Sequence, residues 1–326
     1  MSFRSIKSTF LIAVLMLSFS CGKSKEQEVK DAILSANIYL STRQCQPAID
    51  LLESMGRQNT NALYLKTLST GYACRAGYST TSFFADDISK TATPSPLGGM
   101  TTYKTSLVTT TSPLTDDSSF RDLQTAIDIL LYAGGIAETT DPSASERAKH
   151  FSFNQAGDIN SQLAFMMLVQ TGKLMKVYAD TNAAGVKGGG SGSNTCFTDY
   201  TTTDPLVKAY LLTGNTGVCV TDNSSNTQLA LGVSDRRKRL CEGTVLLNNI
   251  LDILPSVIAT AGGGKLDDIT TITTQINAKK AALEGIDPDF TPTATVLSQT
   301  NCENDSDIDE ITLSSYYAVF FESLVK

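Results

Sequence analysis

The chain has 326 residues, a net charge of −7, one histidine, no tryptophan and 41% apolar residues. That apolar content suits a globular body rather than a disordered one. An acidic chain with dispersed lysines carries no electrostatic footprint for nucleic acid.

At the N-terminus, Arg4 and Lys7 form a basic n-region ahead of an unbroken apolar run from Phe10 to Leu17. A bilayer-spanning helix needs about 20 apolar residues, so this run reads as a secretory h-region. Ser20 supplies the small residue before a cleavage point. Leu17-Ser18-Phe19-Ser20-Cys21 resembles the lipobox of bacterial lipoproteins. The resemblance implies that residues 1–20 are a signal peptide, and that the Cys21 thiol receives a diacylglycerol and becomes the new N-terminus. The polar segment 21–28 then serves as a lipidated tether. Gly22, rather than Asp, follows the cysteine. By the same resemblance this favours the outer membrane, with the acylated Cys21 seated in its lipid and the body facing the periplasm. The simpler alternative is a secreted protein in which Cys21 is only the first mature thiol. Loss of residues 1–20 removes Arg4 and Lys7 and no acid, so 306 residues remain and the net charge falls from −7 to about −9. No later run approaches the length needed to span a bilayer.

With Cys21 set aside, six cysteines remain: Cys45, Cys74, Cys196, Cys219, Cys241 and Cys302. An even set in an exported chain implies disulfides. Six cysteines permit 15 connectivities; proximity favours Cys45–Cys74 and Cys196–Cys219, which leaves Cys241–Cys302. A metal site is disfavoured, because there is no CxxC or HxxxH and the lone His150 lies far from every cysteine.

Ile33, Ala36, Ile38, Tyr39 and Leu40 mark a first helix, and Pro47 with Ile49, Leu51, Leu52 and Met55 a second. Proline is tolerated in a first helical turn, where its missing N–H costs nothing. Gly56 ends this helix, and Asn59-Thr60-Asn61 opens a third carrying Leu63, Leu65, Leu68 and Tyr72. Ala36, Tyr39, Ala48 and Leu52 stand at the spacing of a tetratricopeptide (TPR) repeat, and Gly71 follows Ala36 near the 34-residue period. Residues 29–88 therefore resemble TPR helical hairpins. The equal alternative is a generic α-hairpin.

Residues 89–118 are Thr/Ser/Pro-rich and without period, which predicts a long surface loop or linker. Helical signals return at Phe120, Leu123, Ala126, Ile127, Leu130 and Leu131 and stop at Gly134-Gly135. Ser143 with Glu146 marks another helix start. Ile159 to Tyr178 is apolar on every side, as in a helix buried within a bundle. A Gly-rich loop occupies 185–195, and a short helix is expected from about Asp204 to Leu212. Gln228 to Ala261 has a long helical pattern that Pro255 should kink or divide, ended by Gly262-Gly263-Gly264. Leu266 to Leu283 and Ser306 to Leu324 complete the set. The expected fold class is all-α: TPR-like hairpins packed on a disulfide-stapled helical bundle over 119–326.

Few motifs could carry chemistry. Gly264-Lys265 is followed by Leu266 rather than the Ser or Thr of a phosphate loop. His150 has no GxSxG hydroxyl to serve as a triad base. Asp305 to Glu310 alternates acids like a calcium loop but lacks the required Gly and final Glu, and capping of the following helix explains it better. Arg236-Arg237-Lys238-Arg239 reads as a solvated helix face, or as a site for an anionic head group or acidic partner. Tyr316, Tyr317, Phe320 and Phe321 form two i, i+4 pairs, of which one could line a groove if both are not core. No catalytic residue, cofactor or metal is expected. The leading functional expectation is a non-catalytic scaffold that binds a protein partner at the bacterial envelope. The alternative is a small-ligand or envelope-assembly accessory with a pocket lined by Met166, Met167, Tyr316 and Phe320. A hydrolase built on His150 is a distant third.

Overall fold

A computed structural model describes residues 24–92, 96–109, 114–187, 196–198, 229, 232–261 and 267–322. Cys21 and the leader, Cys219, the expected helix near 204–212, most of the Gly-rich loop and Gly262 to Gly264 lie outside these residues. Among the described residues the regular elements are helices, joined only by two isolated bridges, Ala179 with Thr198 and Thr181 with Lys187. The fold is all-α.

The first three helices are α1 (Lys25–Ser41), α2 (Cys45–Ser54) and α3 (Ala62–Arg75). Ser24 and Asn61 cap α1 and α3 by accepting from the Gln27 and Tyr64 amides, which satisfies donors that a helix start leaves free. Each of the three packs on the other two. Ala36, Ala48 and Leu52 are fully buried between them, whereas Tyr39 is 37% exposed. At Gly71 a Cβ would lie 2.9 Å from Ile49 Cγ1, so a side chain there would push α3 off α2. The Cys45–Cys74 disulfide ties the start of α2 to the end of α3. Arg75 then holds this unit to the next helix, donating to both oxygens of Asp122 at 2.8 and 2.6 Å, a planar fork that suits a carboxylate.

The described parts of 89–118, namely 89–92, 96–109 and 114–118, differ from the expected surface loop. A π-helical turn (Phe83–Asp87), a 3₁₀ turn (Ile88–Ala92) and α4 (Pro96–Thr101) fold this stretch inward. Leu97, Met100, Tyr103 and Leu114 are buried. The abundant hydroxyls bond locally: Thr101 to the Gly98 carbonyl at 2.6 Å and Thr102 to the Gly99 carbonyl at 2.7 Å. Local pairing of this kind lets a Thr-rich segment enter a core. Asp87 pins its return, accepting from the Lys104 amide, the Thr105 amide and hydroxyl, and Lys90 Nζ. Burial pushes the Asp87 carboxyl up, but these donors together outweigh it and hold its pKa below the ordinary value.

Helix α5 (Ser118–Leu131) begins on an Asp117 cap. The Ser143 signal yields only the single turn α6 (Ala144–Arg147), and α7 (Phe153–Tyr178) follows from a Ser152–Gln155 capping box. Helix α7 is the axis of the bundle, packed by α3, α4, α5 and α8. Its Leu163, Met166, Met167, Val169, Leu174 and Met175 are all buried.

Helix α8 (Arg236–Ala261) starts later than the sequence pattern and runs through Pro255 undivided. Pro255 is exposed, so solvent can reach the turn its missing N–H leaves unbonded. The Arg236–Ile258 window is long and apolar enough to cross a membrane, and 72% of it is buried inside the fold. After α9 (Asp267–Ile286) come α10 (Thr291–Thr295), α11 (Gln299–Asn304) and α12 (Glu310–Tyr316), the last continuing as a π-helical turn over Tyr317–Phe321. Tyr316, Tyr317, Phe320 and Phe321 are fully buried, so both aromatic pairs are core and neither lines a groove. The second disulfide, Cys241–Cys302, fastens α8 to α11. Cys196 is also disulfide-bonded; its expected pairing with Cys219 falls outside the described residues. One hydrophobic core runs from Val29 to Phe321.

Candidate functional site

A cavity of about 460 Å³ opens between α5 and α8, with Met167 of α7 in its wall. Helical spacing explains its lining. Phe120, Gln124, Ile127 and Leu131 recur along one face of α5, and Lys238, Glu242, Val245 and Asn249 along one face of α8. Gln299 and Thr300 of α11 and Tyr132 and Glu138 of the α5–α6 loop close the rim.

A relay of amides sets the orientation of Asp128. Gln170 Nε2 donates to Gln124 Oε1 at 3.1 Å, and Gln124 Nε2 donates to Asp128 Oδ1 at 2.9 Å. Burial pushes the Asp128 carboxyl up to about 7, with Glu138 adding to the rise and the Gln124 bond opposing it. Across the cavity, burial likewise pushes Glu242 up to about 7, against the pull of Lys238 and Arg239. Both acids thus sit at the edge of ionisation near neutral pH, a condition that clusters at functional sites.

Two oxygens in this lining have no hydrogen-bond donor among the described residues: Glu242 Oε2 and Asn249 Oδ1. Asn249 is fully buried. Its Nδ2 is committed to the Val245 and Leu297 carbonyls at 2.9 and 2.8 Å, which fixes the amide and leaves Oδ1 open. Buried polar atoms are nearly always bonded, and an orphan costs about 1–3 kcal/mol. Both atoms are closed off from the cavity space, so they are unsatisfied acceptors packed behind its wall.

The residues singled out from the sequence fall elsewhere or take other roles. Met166, Met167, Tyr316 and Phe320 do not share a cavity: only Met167 lines this one, and Tyr316 bonds Asn248 Oδ1 at 2.8 Å within the core. His150 is exposed, with its ring against Gly134, and no side-chain hydrogen bond joins it to a serine or an acid among the described residues. The basic run is not a free face. Arg236 is buried and bonds the Leu229 carbonyl and Glu310, and Arg237 bonds the Cys302 and Asp305 carbonyls. These two arginines tie α8 to the chain around α11 and α12, because a guanidinium can serve several carbonyls at once. Asp309 caps α12 through the Thr312 amide at 2.7 Å, and Asp305 turns the chain by accepting from Asp307. No group of three or more His, Cys, Asp or Glu is placed to hold a metal among the described residues.

A second, larger groove of about 700 Å³ borders the Cys45–Cys74 disulfide and is lined in part by Ser41, Thr70, Ser79, Thr80, Thr81 and Ser82. No protein-family model, curated protein or solved structure matches the chain.

Proposed function

We propose that this chain is a lipid-anchored, non-catalytic binding protein of the bacterial envelope that holds a small molecule in the cavity between α5 and α8. The observation that carries the reading is the 460 Å³ cavity itself, walled by Phe120, Ile127, Leu131, Val245 and Leu246 with the carboxyl groups of Asp128, Glu138 and Glu242 placed among them. Ligand sites are concave, mostly apolar and furnished with a few placed polar groups. The address rests on the lipobox-like Leu17 to Cys21 segment, and the disulfides suit an oxidising compartment such as the periplasm. At about 0.8 kcal/mol per buried CH₂, two or three acyl chains on Cys21 would hold the body firmly at the outer membrane.

The test is native mass spectrometry of the protein taken gently from its own envelope, beside a Leu246→Trp variant that fills the cavity. The expected result is a co-purified small molecule that the variant loses. Palmitate labelling that disappears in Cys21→Ala tests the anchor separately.

A second reading, the protein-binding scaffold, is favoured by the hydroxyl-lined groove along the TPR-like hairpins. An empty cavity together with a protein crosslinked through Thr70 or Thr81 would place that reading first.

A further inference from the structure

We infer that α1 lies along the surface of the lipid bilayer, with Leu34 and Ile38 seated where the head groups meet the acyl chains. The inference rests on the lipid-anchored reading above and goes beyond it by naming the face of the body that meets the membrane.

Helix α1 is apolar on two opposite faces. Val29, Ala32, Ile33 and Ala36 are buried, and α1 packs on α2 and α3. Leu34 and Ile38 stand about half a turn round the helix from that stripe, one above the other, and are 64% and 66% exposed. Tyr39, on the flank between the two faces, is 37% exposed, and a ring with a polar tip suits the boundary between lipid and water. Single exposed apolar residues are ordinary: Leu63, Leu107, Phe153 and Ile311 stand alone, each in a different segment. Among the described residues only α1 carries an exposed apolar pair one turn apart.

The length of chain before α1 says what covers this pair. Only Gly22, Lys23 and Ser24 separate Cys21 from the start of the helix. Extended chain from Cys21 to Lys25 reaches at most about 14 Å, little more than the width of a helix, about 10–12 Å. An acylated Cys21 therefore holds the start of α1 against the bilayer. Ile38 lies about 20 Å farther along the axis, so the helix brings the pair to lipid by lying flat.

Charge permits that seating. The eleven residues from Ala32 to Thr42 carry no charge, so the second half of α1 enters the interface without desolvating an ion. Ahead of them Lys23, Lys25 and Lys30 balance Glu26, Glu28 and Asp31. Lys30 bonds Glu26 at 2.7 Å, and Gln27 donates to Asp31 at 2.8 Å. In a chain of net charge −7 this end is locally neutral, and anionic lipid does not repel it.

The chain has no tryptophan, so one introduced indole reports its own surroundings. The experiment uses the full protein, purified in detergent from its own envelope and reconstituted into vesicles of phosphatidylethanolamine and phosphatidylglycerol, some with brominated acyl chains. Leu34→Trp and Ile38→Trp are compared with Phe153→Trp and Ile311→Trp; all four positions are exposed, so the fold tolerates the change. Emission of the first two should move to shorter wavelength on reconstitution, and bromine should quench it at least about twofold more than that of the last two. No shift in either α1 variant, or equal quenching at all four positions, overturns the inference, while protein that still floats with the vesicles keeps its anchor. A shift that appears without lipid and grows with protein concentration gives the face to a second copy and likewise overturns it. Protein that fails to float with the vesicles removes the anchor and the inference together.

Discussion

Arg236 and Glu310 join the first residues of two helices: Nη1 of the buried arginine lies 2.7 Å from Oε2 of the half-exposed glutamate. The same guanidinium bonds the Leu229 carbonyl at 2.6 Å and reaches Ser314 Oγ. A lysine offers no such fork. Arg236→Lys should therefore lower the unfolding free energy by about 2 kcal/mol in urea denaturation. Because Glu310 keeps much of its solvent contact, Glu310→Gln should cost less than about 1 kcal/mol.

At Gly243 helix α8 packs directly against Tyr317 of the C-terminal segment. A Cβ there would fall 2.8 Å from Tyr317 Cζ and nearer still to the hydroxyl. Tyr317 is fully buried and bonds the Arg239 carbonyl at 3.2 Å, so its ring has no room to retreat. Gly243→Ala should destabilise by about 2–3 kcal/mol through overpacking. Tyr317→Phe, by removing the hydroxyl, should recover part of that loss in a double-mutant cycle; strict additivity would refute the contact.

Asp128 gives stability a definite pH dependence. Its folded pKa of about 7 lies above the ordinary 3.8, so between these values the folded state binds a proton that the unfolded state has released. Its contribution is then greatest below about pH 4 and declines as pH rises to about 7. Glu242 acts in the same direction. Asp128→Asn retains an acceptor for Gln124 and should raise the melting temperature at pH 8, with the gain shrinking toward pH 4. A gain of equal size at both pH values would contradict the assignment.

The two described disulfides should differ in how readily they are reduced. Cys241 and Cys302 are fully buried, whereas Cys45 and Cys74 are partly exposed. Under mild reductant, alkylation followed by mass analysis should find Cys45 and Cys74 modified first, with Cys241 and Cys302 protected until global unfolding. The Cys241–Cys302 crosslink spans 61 residues, so its replacement by alanines should cost about 4 kcal/mol in the chain-entropy model.

Much of this fold is legible in local patterns. The apolar period marks α1, α2, α3 and α5, cysteine proximity predicts Cys45–Cys74, and Cys241–Cys302 is the pair that proximity leaves over. Ser152-Phe153-Asn154-Gln155 also carries a capping-box signal that sets the start of α7 ahead of its apolar run. The candidate site is less visible. Asp128, Glu242 and Gln124 read as ordinary polar residues flanking an amphipathic stripe. The one available hint is Asn248-Asn249 inside Leu246-Leu247-Asn248-Asn249-Ile250-Leu251, since amides set in an apolar helix must find partners.

Periodicity, capping residues and cysteine count act over a few positions, and by themselves they determine a helical, crosslinked body. Which polar groups are buried, and which stay unbonded, depends on residues far apart in the chain. Asn249 meets Leu297, Arg236 meets Glu310, and Thr-rich 96–109 sinks against α7 only once the helices have packed. Desolvation is a property of that assembled environment, and it is the largest cause of the upward shift of Asp128 and Glu242.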